Sequence, residues 1–329
     1  MKGEHTYRGL KLLLLILFSP FLLNAQTIND AKEAFNNGVT ANSSNNLEEA
    51  IKQFNQVISI CNNLQGNEDA ESLLTQTEGL LPKLNLQLAK EYFQNKSYDK
   101  AAKQFQTTKK VATTYNDAAT AKEATDAIPQ VYSQMGIDYY KKGDFKDAVT
   151  QFSNAASANP QFAAAYYYLA LTYSKLDNSD KVKESADKAL QITKASNDSK
   201  LGKRVTDVAA TYFLEKANKA KGSAKYEDAV KYINQSLTYD DSNATAYYLL
   251  AAVQNSLSHW DEAIEAANKA LKYEVDNNVK KAKDYFELGN AYKGKQEYAA
   301  ACDAFKKASY GAFEQSAKYQ IKYVLKCGE

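Results

Sequence analysis

Histidine, cysteine, proline and glycine are all scarce in this chain of 329 residues, and each scarcity excludes something. Of two histidines, only His259 lies beyond the first 25 residues. A Ser-His-Asp relay or a histidine-based metal site would have to use that single ring, which reads as a polar turn residue before Trp260. The motifs GxSxG, GxxxxGK[ST] and HExxH do not occur. The three cysteines, Cys61, Cys302 and Cys327, form no CxxC pair, and their spacing suits no zinc site. Thirteen glycines and four prolines are few for this length, which favours long helices joined by short turns. No catalytic residue, metal or cofactor is expected, and the chain is not expected to be an enzyme.

Arginine is rarer still. Arg8 and Arg204 are the two in the chain. Residues 1–25 hold three basic side chains (Lys2, Arg8, Lys11) and one acidic side chain (Glu4), so the remainder carries 38 of each sign. A neutral chain with one arginine and lysines scattered among acids offers no basic face for nucleic acid. The composition, 44% hydrophobic and 24% charged, is that of a folded protein and not a disordered one.

The one long apolar run is at the start. Lys2, Arg8 and Lys11 precede Leu12 to Leu23, which only Ser19 and Pro20 interrupt, and Ala25 supplies a small residue before Gln26. This is the layout of a cleavable secretory signal peptide over residues 1–25. The alternative, an uncleaved anchor, meets a run short for a membrane span. The expected location is periplasmic or secreted, with no stable membrane span after cleavage.

What is abundant is repetition. In a 34-residue unit numbered from Pro129, Tyr132, Met135, Gly136, Tyr139, Phe145, Ala148, Phe152, Ala155 and Pro160 fall at positions 4, 7, 8, 11, 17, 20, 24, 27 and 32. Spacings of three and four put the apolar residues on one helical face. Gly143–Asp144 supplies a turn between two helices. Position 8 and position 20 call for small residues where the helices cross. The same register fits units at 31–64, 82–115, 129–162, 163–196, 210–243, 244–277 and 282–315. Position 8 then reads Gly38, Ala89, Gly136, Ala170, Ala217, Ala251 and Gly289. Position 20 reads Ala50, Ala101, Ala148, Val182, Ala229, Ala263 and Ala301.

This pattern resembles the tetratricopeptide-repeat (TPR) family. The resemblance covers roughly residues 31–315 and implies an all-α, right-handed helix-turn-helix solenoid of about seven repeats. Some units depart from it. Unit 1 has Asn37 and Ala41 at positions 7 and 11, and unit 5 has Lys216 and Ala220 there. Unit 6 has Gln254 at position 11, and unit 4 has Ser179 and Ala186 at positions 17 and 24. Residues 116–128 and 197–209 interrupt the period and read as a helix end followed by a new N-terminal turn, with 65–81 as another long joint. The resulting spacing of 81 residues from Pro82 to Ala163, and from Ala163 to Ala244, suggests a duplicated two-unit module. Residues 316–327 read as a capping helix. If that helix packs on the last unit, Cys302 and Cys327 come within reach of a disulfide; the alternative is that they point apart.

The family binds proteins and peptides in a concave groove lined by the first helix of each unit. Carrying its groove positions across gives Ile137, Tyr140, Tyr167, Leu171, Leu214, Tyr248 and Phe286, edged by Lys141, Lys175, Lys221 and Lys293. Such a groove suits an extended or helical segment with apolar anchors and some acidic residues. The lysine–asparagine clamp of cytosolic family members is not expected, because position 5 never holds lysine, and Asn218 and Asn290 at position 9 look isolated. The function read from the sequence is a non-catalytic scaffold for an unidentified protein or peptide. The alternative is a permanent subunit of a cell-envelope assembly or secretion complex.

Overall fold

In a computed structural model, residues 27–327 are described; the expected signal segment, residues 1–25, lies outside them. Fourteen α-helices form seven consecutive pairs. The pairs are α1 (Ile28–Ser43) with α2 (Leu47–Asn62), α3 (Glu68–Gln94) with α4 (Tyr98–Thr114), α5 (Ala118–Lys142) with α6 (Phe145–Ala158) and α7 (Ala163–Lys175) with α8 (Ser179–Ala195). Then come α9 (Ser199–Gly222) with α10 (Tyr226–Tyr239), α11 (Ala244–Ser256) with α12 (Trp260–Tyr273) and α13 (Asn278–Gly294) with α14 (Tyr298–Ala308). In each pair the first member is called helix A and the second helix B. Every helix packs on its neighbours in sequence, and each helix A also touches the next helix A. This is a one-dimensional stack, a helical solenoid.

The turn inside each pair is the same seven times over. Position 15 is left-handed in every unit: Asn45, Lys96, Gly143, Asp177, Ala224, Ser258 and Gln296 have φ between 54° and 87°. The next residue's N–H returns to the carbonyl of position 11, as in Asp144 to Tyr139 (3.0 Å) and Glu297 to Tyr292 (2.9 Å). Left-handed backbone with this six-residue return is a Schellman ending of helix A. The chain then enters helix B directly.

The crossing of A on B explains the small residues. Positions 20 and 27 are 0% exposed in all seven units. A Cβ at Gly136 would stand 2.5 Å from the Phe152 ring; at Gly289 it would stand 2.9 Å from Phe305, and at Gly38 3.0 Å from Phe54. Glycine at position 8 thus seats a phenylalanine at position 24 of the same unit. In units 4, 5 and 6, where Ala186, Ile233 and Ala267 take position 24, position 8 is alanine.

The units that depart from the pattern fold like the others. Lys216, polar at an apolar position of unit 5, pairs with Asp177 from the turn of unit 4 at 2.9 Å. The Tyr212 hydroxyl donates to the same Asp177 at 3.1 Å and lies 2.9 Å from the Ser179 hydroxyl. The aromatic missing from position 17 of unit 4 is therefore replaced by a tyrosine from unit 5.

The insertions correct the sequence reading. They are not joints; they are helix. Residues 68–81, 118–128 and 199–209 extend α3, α5 and α9 at their N-terminal ends. Asn67, Asp117 and Asp198 cap them, their side chains accepting from the N–H of Ala70, Thr120 and Leu201. The extensions lack glycine–proline turn signals, so the helix runs on, through Pro82 and Pro129 in two cases. Four successive helices then recur in register. Helices α4, α6 and α7 match α8, α10 and α11 in both end points at a displacement of 81 residues, and α5 matches α9 within one residue.

The terminal cap also differs from a single helix over 316–327. After a short 3₁₀ turn, Gly311–Phe313, comes α15 (Glu314–Tyr319), followed by a π-helical turn, Gln320–Val324. Ala317 is buried against α14, and Ile321 and Leu325 pack beside it. A disulfide joins Cys302 to Cys327, with Cα atoms 5.8 Å apart. Cys61 is a buried free thiol whose pKa burial raises.

Candidate partner-binding face

The seven helices A lie side by side, with helices B behind them. Their open face carries the residues selected from the sequence, and the structure divides these into two groups. Ile137 and Tyr140 pack beside Phe152, Leu171 packs beside Tyr167, and Leu214 packs beside Ile233. Tyr167 is only 7% exposed. The Arg204 guanidinium stacks 4.4 Å from its ring centre and donates to its hydroxyl at 3.1 Å. Phe286 sits between Phe305 and Phe313, with ring centres 5.4 and 5.3 Å away. The aromatics thus belong largely to the seams between helices A. The lysines are the accessible part: Lys141 and Lys175 are exposed, and Lys221 and Lys293 are half-buried in one cavity.

That cavity, of about 450 Å³, opens between α9, α11 and α13. Lys221 of α9 and Lys293 of α13 border it, with Asn255, Glu287 and Asn290 between them and Trp260 as a wall. Trp260 opens helix B of unit 6 and lies against Gly294, where a Cβ would stand 2.5 Å from the indole. Asn255 Nδ2 donates to both the main-chain oxygen and Oε2 of Glu287 at 2.9 Å, and Asn290 Nδ2 donates to Oε2 at 3.3 Å. Asn290 is therefore not isolated, as its spacing suggested. Asn218, by contrast, only turns back to the Leu214 carbonyl.

A second cavity, of about 530 Å³, lies between α3 and the N-terminal extension of α5. Phe93, Phe105, Ala127 and Val131 form its floor, and an ion pair of Lys90 with Glu123 crosses its rim at 2.6 Å. Half of this lining comes from the insertion, whose helical nature no repeat spacing reveals.

Charge at the α11–α13 seam is unusual. Asp284 is 0% exposed, and neither of its carboxylate oxygens has a hydrogen-bond partner. Position 3 of the preceding units holds Leu84, Val131, Ala165, Tyr212 and Ala246 at the same packing site. Burial raises the Asp284 pKa to about 7; Lys283 opposes this, and Glu274 and Glu287 add to it. Lys283 pairs with Glu274 at the end of α12 and lies 3.9 Å from Asp284. Tyr248 faces the same group, and its pKa is raised by burial and then by Glu287 and Asp284.

Family models described as tetratricopeptide repeats match residues 163–196 and 214–278, and one described as a TPR repeat matches 136–177. The chain belongs to the tetratricopeptide-repeat family. Solved TPR-like structures similar to it include MamA, 23% identical over 60% of this chain and 97% of that chain, with a TM-score of 0.37. YrrB, a TPR protein with an unusual peptide-binding site, is 15% identical over 63% of this chain and 96% of its own, with a TM-score of 0.35. A tetratricopeptide repeat protein from Parabacteroides merdae is 16% identical over 89% of this chain and 98% of its own, with a TM-score of 0.28. No curated protein matches. Among the described residues of this TPR chain, no helix is long and apolar enough to cross a membrane, and no cluster of three or more His, Cys, Asp or Glu side chains could hold a metal ion.

Proposed function

We propose that this TPR protein is a non-catalytic scaffold that holds a segment of a partner protein along its helix-A face, after export through the N-terminal signal segment to the periplasm or cell exterior. One observation carries the reading. Successive helices A touch one another, leaving a continuous face into which two cavities open. A long, shallow face with recessed sites suits a chain segment better than a compact small molecule. The lysines along it, Lys141, Lys175, Lys221 and Lys293, favour a segment with acidic residues. The second reading, a permanent envelope subunit, uses the same face and differs in the lifetime of the complex.

Photoreactive amino acids placed in intact cells test this. Positions Lys141 and Lys175 lie on helices A, and Lys146 and Lys183 are exposed on helices B. The first pair is expected to yield one shared adduct and the second pair none. Adducts from helices B alone, or from no position, would overturn the reading. An adduct partner that stays bound through purification without light marks the permanent subunit.

A further inference from the structure

We infer that the cavity between α9, α11 and α13 is a recognition site for an acidic side chain together with a main-chain N–H beside it, on the partner segment. This rests on the scaffold reading and names the chemistry of one site within it. Three features lead to this conclusion. Lys221 and Lys293 both border the cavity, and neither meets a carboxylate at ion-pair distance among the described residues. Lys293 donates to the neutral Gln320 Oε1 at 2.9 Å, which steadies the ammonium without neutralising it. The one acidic group inside, Glu287, is already occupied, since Asn255 and Asn290 donate to its carboxylate. The cavity therefore presents two uncompensated cations beside a carboxylate that is already bonded.

The third feature sets the donor requirement. Asn255 Oδ1 is buried and receives no hydrogen bond. A buried acceptor without a donor costs stability until something supplies one. An occupant that fits must bring a carboxylate for the lysines and an N–H for Asn255. An acidic residue in a peptide brings both; a bare inorganic anion brings only the first. The flat wall of Trp260, lying on the bare backbone of Gly294, leaves room for an apolar neighbour of that residue.

Trp260 is the single tryptophan of the chain, so its fluorescence reports on this cavity alone. The probe is an acetylated and amidated decapeptide alternating leucine and glutamate, titrated to 1 mM into the full purified protein. The comparisons are its leucine–glutamine counterpart, the same glutamate peptide with a free C-terminal carboxylate, and inorganic phosphate. The glutamate peptide is expected to shift Trp260 emission saturably and the glutamine peptide to bind at least tenfold more weakly. The free carboxylate is expected to add little, and phosphate to leave the emission unchanged. Lys221→Gln and Lys293→Gln are each expected to weaken the glutamate peptide about tenfold without changing the melting curve. Lys221→Glu is expected to turn the preference towards a leucine–lysine peptide. The proposal is overturned by equal binding of glutamate and glutamine peptides, by saturation with phosphate, by selective gain from a free C-terminus, or by no shift at 1 mM. If photoadducts on helices A persist while Lys221→Gln and Lys293→Gln change nothing, the scaffold reading stands and this site does not.

Discussion

At the scale of the residue, the position-15 turn holds unused stability. Six of its seven left-handed residues carry a Cβ, which that backbone region disfavours by roughly 1 kcal/mol each. Ala224, at φ 57°, has no side-chain hydrogen bond to offset this. Ala224→Gly is expected to stabilise the protein by about 0.5–1 kcal/mol, read as a higher melting temperature; an unchanged or lower value would mean the turn is not left-handed in solution. Gly136→Ala is expected to do the reverse. Its Cβ would drive into the Phe152 ring, and overpacking of this kind costs roughly 1–3 kcal/mol. The double variant Gly136→Ala, Phe152→Leu should recover much of the loss, because the smaller side chain yields the space. Equal destabilisation by the single and double variants would contradict the crossing geometry. The glycine at position 8 was legible because it recurs at a fixed spacing. The left-handed turns were not, apart from Gly143, because lysine, alanine and glutamine carry no turn signal of their own. Their conformation comes from the two helices they join.

At the scale of the element, Asp284 makes the α12–α13 interface depend on pH. Its folded pKa of about 7 lies above the ordinary carboxylate value of about 3.9. Below about pH 4 both folded and unfolded chains hold the proton, and the group costs nothing. Between about pH 4 and 7 the unfolded chain releases it first, so this contribution to stability falls as pH rises, and it levels off above 7. The groups around it are Lys281, Lys283 and Glu287 on α13, Glu274 at the end of α12, and Tyr248 on α11. Other carboxylates have lowered pKa values, among them Asp177 beside Lys216 and Glu274 beside Lys283, and they favour folding as pH rises. The difference between parent and Asp284→Asn isolates the one group. The gain from Asp284→Asn should be near zero at pH 4 and reach on the order of 2–4 kcal/mol at pH 8, measured by chemical denaturation. A gain independent of pH would show that the carboxylate is not buried.

The helices themselves were easier to foresee than their lengths. Repeat spacing located all seven crossings, because only small residues fit there. It gave no account of the extensions on α3, α5 and α9, whose alanine and threonine content suits a helix but matches no unit position. The cavity between α3 and α5 was hidden for the same reason. At the partner-binding face, lysines were legible as groove residues. The aromatics Tyr167 and Phe286 are drawn into the seams by Arg204, Phe305 and Phe313, contacts that link distant units and leave no trace in a single repeat. Replacing Tyr167 would therefore disturb packing as well as binding, which makes the lysines the cleaner probes.

At the scale of the whole molecule, a solenoid has no single core to set its stability; each unit depends on its neighbours. The disulfide between Cys302 and Cys327 fastens the last of them, closing a separation of 25 residues and contributing about 3 kcal/mol in the chain-entropy account. Reduction should therefore lower the melting temperature, and native-state hydrogen exchange should show the loss first in α13, α14 and α15. Unfolding that begins instead at α1 and α2 would place the weak end of the stack elsewhere. The central claim, that a partner lies along helices A, is tested most directly by hydrogen exchange of the protein with and without the partner recovered from the Lys175 adduct. The account predicts added protection on α7, α9, α11 and α13 and little change on α8, α10 and α12. Protection confined to helices B, or spread equally over both, would contradict it.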